Sequence, residues 1–119
     1  MTFLILLDDK QPQLLNKKLL AEHITYLKNL RQQGFLPICG PKSDNKGGIL
    51  IIRANSEKHA HEIISNDPFI KEGYYKKISI HEFQEAGDDN DWLADSPQTQ
   101  DNLKGNRDIN NEISDKKTH

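Results

Sequence analysis

The 119 residues contain a single cysteine, Cys39. No internal disulfide and no thiolate metal cluster can be built from it, and a reducing compartment is the expectation. Long apolar runs are also missing, and none approaches the ~18 residues needed to cross a bilayer. The amino terminus lacks the basic lead and small-residue cleavage site of a signal peptide. A soluble, cytoplasmic protein without membrane contact is therefore expected. Charge of one sign is never concentrated: the chain carries a net charge of −2, with no basic or acidic block that would argue for nucleic acid or an anionic membrane as a partner.

The apolar residues that are present are unevenly placed. Of the hydrophobic residues, 34 lie in positions 1–83 and seven in positions 84–119, where Asp, Asn, Ser, Gln and Lys prevail. One domain, residues 1–83, with net charge +3, is followed by an acidic extension with net charge −5. Within residues 84–95 the one apolar patch is Asp91-Trp92-Leu93-Ala94. Trp92 either docks against the domain edge or stands as an incidental aromatic in a disordered segment. Residues 96–119 are expected to form a polar tail without fixed structure.

Thr2 to Leu7 is a nearly unbroken apolar run ended by Asp8-Asp9 and reads as a buried strand. From Gln13 to Gln33 the spacing becomes helical, with Leu15, Leu19, Leu20, His23, Tyr26, Leu27 and Leu30 on one stripe, and Gly34 stops it. Phe35 to Cys39 reads as a second strand ended by Gly40-Pro41, and Ile49 to Ile52 as a third after a polar loop. Ser56 opens a second helix that runs through Ile64. Asn66-Asp67-Pro68 breaks it, and Tyr74 to Phe83 reads as a fourth strand. The order βαββαβ is α+β and ferredoxin-like: an antiparallel four-stranded sheet with two helices on one face. Strands one and three are apolar on both sides, so the uncovered face calls for a homodimer packed sheet to sheet, a dimeric α+β barrel, unless the tail folds back over it.

His23 interrupts the apolar stripe. Such an imidazole is either a general acid or base in a half-buried site, or a core-edge histidine bonded to a backbone carbonyl. Asp67 before Pro68 is a helix cap with proline in the first helical position. A cap leaves carboxylate capacity unused, and if the second helix returns the chain beside the first, Asp67 could also orient the His23 ring. His59 and His61, two apart on a helix, point in different directions, read as surface residues and cannot jointly hold a metal. His81, Ser79 and Tyr75 share one side of the last strand, opposite Ile78 and Ile80. Cys39 reads as a small buried hydrophobe. Gly47-Gly48 is a hairpin turn and not a phosphate loop. The apolar third strand lacks the base-stacking aromatics of an RNA-binding sheet.

The run His23-Ile24-Thr25-Tyr26-Leu27, followed by Gly34-Phe35-Leu36, Gly40-Pro41, Gly47-Gly48 before a β-branched strand, Asp67-Pro68-Phe69 and Gly73-Tyr74, resembles the YciI-like family over about residues 1–83. The resemblance implies a ferredoxin-like protomer that dimerises through its sheets, similar in architecture to muconolactone isomerase. It also implies a cleft with a paired histidine and aspartate, which fall on His23 and Asp67. The activity assigned in the family is dehydrochlorination of a chlorinated aromatic.

On this reading the protein is a small cofactor-independent enzyme of lyase or isomerase type. His23 moves a proton, Asp67 orients it, and Tyr26, Gly40, Pro41 and Phe69 line the site for a small organic ligand. No metal is expected. The competing reading, from a different class, is a non-catalytic dimeric module that binds a small ligand or a protein partner.

Overall fold

The computed structural model describes residues 1–105. The chain divides into two units, Met1–Gln84 and a second that begins at Glu85. The first unit runs β1 (Thr2–Lys10), α1 (Lys17–Gln32), β2 (Ile38–Pro41), β3 (Gly48–Arg53), α2 (Glu57–Ser65), the short α3 (Pro68–Lys71) and β4 (Tyr75–Phe83). The strands form one antiparallel sheet in the order β2-β3-β1-β4. This is the ferredoxin-like α+β arrangement.

One face of the sheet makes the core. Phe3, Ile5 and Leu7 of β1 and Leu50 and Ile52 of β3 are buried in a single cluster with Leu30 of α1 and Ala60, Ile63 and Ile64 of α2. The register sets the other face: Leu4 pairs with Ile51 and Leu6 with Ile49, while Ile38 of β2 pairs with Ile51. Side chains paired across a ladder share a face, so five aliphatic residues line this open side. Four of them are half-buried and Ile38 is 60 % exposed.

Several boundaries differ from expectation, each for a local reason. β1 continues beyond Leu7 through the acidic pair, since Asp8 opposes Lys77 and Lys10 opposes Tyr75; the Lys42 ammonium also bonds the Asp8 carboxylate. α1 starts at Lys17 and not Gln13. Pro12–Leu14 makes a separate 3-10 turn, and the Asn16 side chain caps α1 by accepting from the Leu19 N–H at 2.8 Å. At its other end Gly34, at φ 85, lets Gly34 N–H reach Arg31 O and Phe35 N–H reach Leu30 O. This paired closure needs a left-handed residue, which glycine adopts without strain. Because that closure uses Phe35, β2 starts later, at Ile38. It includes Gly40-Pro41, a proline tolerated because β2 is an edge strand.

In the second unit, Asp88–Leu93 forms 3-10 turns kinked where Asp91, Trp92 and Leu93 all take positive φ. The exposed Trp92 donates its indole N–H to Asp88 at 2.9 Å. Pro97–Gly105 is a helix, α4, where no fixed structure was expected from Ser96 onward. Ser96 accepts from the Thr99 N–H and Pro97 follows it, a helix-start pattern that composition alone conceals. The rest of the expected polar tail, 106–119, lies outside the described residues. Among the described residues no helix is long and apolar enough to cross a membrane.

Candidate active site

The periodicity of α1 decides where its histidine goes. Leu19 and Leu30 are buried, and His23 lies one turn from Leu19 on the same flank. The segment after α2 supplies its partner. Asp67 caps α3, its Oδ1 accepting from the Phe69 N–H at 3.0 Å, and Pro68 occupies the first helical position. The same Oδ1 lies 2.8 Å from His23 Nδ1. One carboxylate oxygen therefore serves both cap and histidine. Oδ2 is buried and has no partner among the described residues. An ionised carboxylate can only accept, so Nδ1 carries the proton of this bond, and in the neutral imidazole Nε2 then keeps its lone pair.

Two further contacts fix the imidazole. Its ring stacks on Phe69 with centroids 3.6 Å apart and planes 5° from parallel. Phe69 is held in turn by Leu19 and Tyr74 in a small buried cluster. Gly73, at φ 75, turns the chain so that Tyr74 N–H bonds Phe69 O at 2.8 Å. The histidine is thus clamped in plane by an aromatic face and in rotation by a carboxylate.

His23 forms part of the wall of a cavity of about 330 Å³ between α1 and the sheet. Leu20, Ile24 and Leu27 continue the helical wall, while Leu7, Gly48 and Leu50 belong to the sheet. The walls are mainly aliphatic, with His23, Cys39 and Tyr75 as the side chains able to exchange hydrogen bonds. Cys39 Sγ already lies 3.7 Å from Arg31 Nη2. Burial, and next the Asp67 charge, push the Tyr26 hydroxyl up to about 12. Burial raises Tyr75 as well, followed by Tyr74 and the Asp67 charge. Both phenols therefore stay protonated at neutral pH.

A domain model for the YCII-related domain matches residues 1–84. The chain belongs to this family. A solved structure of the family's architecture is that of 5-chloro-2-hydroxyhydroquinone dehydrochlorinase (TftG) from Burkholderia phenoliruptrix AC1100, in complex with 2,5-dihydroxybenzoquinone. It is 27% identical to this chain, with a TM-score of 0.57, and the match covers 76% of this chain and 100% of that one. No curated protein matches the chain.

Of the residues expected to build the site, His23 and Asp67 are in contact, and His23, Gly40, Pro41 and Phe69 line one cavity. Tyr26 does not belong to that lining. Its hydroxyl donates to the Ile63 carbonyl at 2.6 Å and ties α1 to α2, because the apolar stripe of α1 is wide enough to meet two different neighbours. Tyr75, expected on the side of Ser79 and His81, lines the cavity instead. The register holds to Lys10 opposite Tyr75, but Asp9, one residue before Lys10, has φ 54 and no ladder partner among the described residues, so the backbone at this end departs from regular strand geometry. Leu20 and Ile24 were also missed as lining residues. They are 40 % and 41 % exposed, and the sequence signal was an apolar stripe broader than one core contact requires. His59 is more than a surface residue: its Nδ1 accepts from the Asn55 N–H at 3.0 Å and its ring meets Phe35 edge-on. Among the described residues no three His, Cys, Asp or Glu side chains gather as a metal site.

Proposed function

We propose that the protein is a small enzyme of lyase or isomerase type that moves a proton on a small, oxygen-bearing ring compound, with His23 as the base. The observation that carries this reading is the 2.8 Å contact between His23 Nδ1 and Asp67 Oδ1 at the wall of an apolar cavity. With Nδ1–H held by the carboxylate, Nε2 accepts a proton from the ligand's hydroxyl or acidic C–H. The buried Asp67 charge stabilises the imidazolium that results and keeps the ring in the tautomer that can accept again. The electron pair left on the ligand then either expels a leaving group, giving elimination, or shifts along the ring and is reprotonated by His23, giving isomerisation. Neither route requires a group beyond this chain's own residues.

The ligand class rests on size and on similarity. A cavity of about 330 Å³ is at the small end of ligand pockets and suits a single ring. The similar TftG structure holds 2,5-dihydroxybenzoquinone. Turnover of hydroxylated aromatics and quinones, followed by chromatography and mass spectrometry in wild type and His23→Ala, tests the reading. Product from wild type with a loss of at least about 100-fold in His23→Ala supports it. Binding that survives the substitution, with product from neither protein, would establish the non-catalytic binding module instead.

The assembly belongs to the same proposal. A second copy of the chain packs on the open aliphatic face formed by Leu4, Leu6, Ile38, Ile49 and Ile51, a patch too continuous to be left in water. Light scattering should return twice the chain mass, and Ile51→Asp should return the single-chain mass.

A further inference from the structure

The proton-transfer reading leaves the one phenol of the cavity without a task. Tyr75 opens β4 and packs edge-on against Phe69, with ring centroids 6.0 Å apart, and against Tyr74 at 4.9 Å. Its hydroxyl oxygen lies 3.6 Å from the point where a Cβ on Gly48 would stand, and both residues line the cavity. The hydroxyl therefore belongs to the sheet floor, whereas His23 enters from the helical wall. The Tyr26 hydroxyl is bonded to the Ile63 carbonyl; that of Tyr75 has no hydrogen-bond partner among the described residues. It is a protonated donor at neutral pH, raised above the ordinary phenol range chiefly by burial. The same point on Gly48 lies 3.7 Å from the Gly40 carbonyl oxygen and 3.7 Å from Leu7 Cδ1.

We propose that the Tyr75 hydroxyl is the specificity-determining hydrogen-bond donor of this cavity. It selects ring ligands that present an oxygen to the sheet floor while their exchangeable proton faces His23, and Gly48 leaves the space that the oxygen occupies. The proposal deepens the proton-transfer reading and rests on it for the orientation of the ligand. The chemistry is asymmetric: a half-buried donor at the wall of an apolar cavity rewards an oxygen and penalises its absence.

The test is calorimetric titration of the full chain with two probes, 2,5-dihydroxybenzoquinone and phenol, in wild type, Tyr75→Phe, Gly48→Ala and His23→Ala. Tyr75→Phe is expected to weaken the quinone about 10-fold and to change phenol, whose one oxygen is engaged by His23, by less than about twofold. The carbonyl stretch of the bound quinone should move to higher frequency in Tyr75→Phe, which a merely structural role would not cause. In Gly48→Ala the added methyl meets its neighbours at ordinary contact distances of 3.6–3.7 Å. The fold is retained, and quinone binding should weaken because the methyl stands beside the Tyr75 hydroxyl. Quinone binding within twofold of wild type and an unshifted carbonyl stretch in Tyr75→Phe would overturn the proposal, as would a wild-type chain that fails to bind the quinone. His23→Ala separates the two readings. Loss of turnover there with no Tyr75 effect removes the specificity role alone, whereas a Tyr75 effect with turnover unchanged in His23→Ala removes the proton-transfer reading alone.

Discussion

Two aspartates in the first unit each hold a basic side chain, and their surroundings separate them. Asp8 on β1 meets Lys42 after β2, with both side chains 30 % exposed. Asp67 meets His23 with side chains 3 % and 13 % exposed, one oxygen shared with a backbone N–H and an aromatic ring covering the imidazole. The first pair ties the β2–β3 hairpin to β1 in a setting that water and salt can screen. The second sits where a charge interacts strongly and reorganises little. Similar chemistry thus yields an exposed clip in one place and a buried pair beside a cavity in the other, and the proposed proton transfer depends on that difference.

The comparison can be broken by substitution. The largest effect expected is on turnover, which His23→Ala should lower at least about 100-fold while Lys42→Ala leaves it near wild type. Next comes stability: Phe69→Ala removes the ring that His23 stacks on and should cost about 3–5 kcal/mol in chemical denaturation. Asp67→Asn keeps the shape but loses the charge and should cost about 1–3 kcal/mol, whereas Asp8→Asn should change the denaturation midpoint far less. A double-mutant cycle on His23 and Asp67 should give a coupling of about 1 kcal/mol or more, and the same cycle on Asp8 and Lys42 should show coupling that fades in high salt.

A smaller effect is expected in alkali. The folded Tyr26 titrates near 12 and the unfolded one near 10, so the neutral phenol is favoured by the fold. That contribution is fully present below pH 10 and is lost as pH rises from 10 through 12. Tyr26→Phe should flatten this part of the stability profile without changing the turnover of the cavity, because Tyr26 does not line it.

The parts of the fold that were legible in sequence are those where one residue type has one local solution. Gly34 ends α1 because a left-handed residue is needed there, and Asp67-Pro68 opens α3 because a capping carboxylate and a proline suit the first turn. The position of His23 on the stripe of α1 followed from periodicity, and the family resemblance joined it to Asp67. Other features depended on tertiary geometry that periodicity does not encode. Alternation did not place Tyr75 at the cavity, which it lines at the strand end where Asp9 departs from regular geometry. Tyr26 and His23 share a stripe, yet one meets the Ile63 carbonyl and the other Asp67, a choice made by where α2 and α3 lie. That one oxygen of Asp67 serves both the cap and the histidine depends on the approach of α1 to α3, which no local sequence pattern encodes.

The central claim is that Asp67 holds the proton on Nδ1 of His23 and leaves Nε2 to act as the base. The ring nitrogens of His23 in 15N-labelled protein, observed by long-range 1H–15N correlation at a pH where the imidazole is neutral, test it most directly. The account predicts a protonated Nδ1 with an Nε2 shifted as a bare lone pair, and a change of that tautomer balance in Asp67→Asn. A wild-type ring protonated on Nε2, unchanged by the substitution, would contradict it.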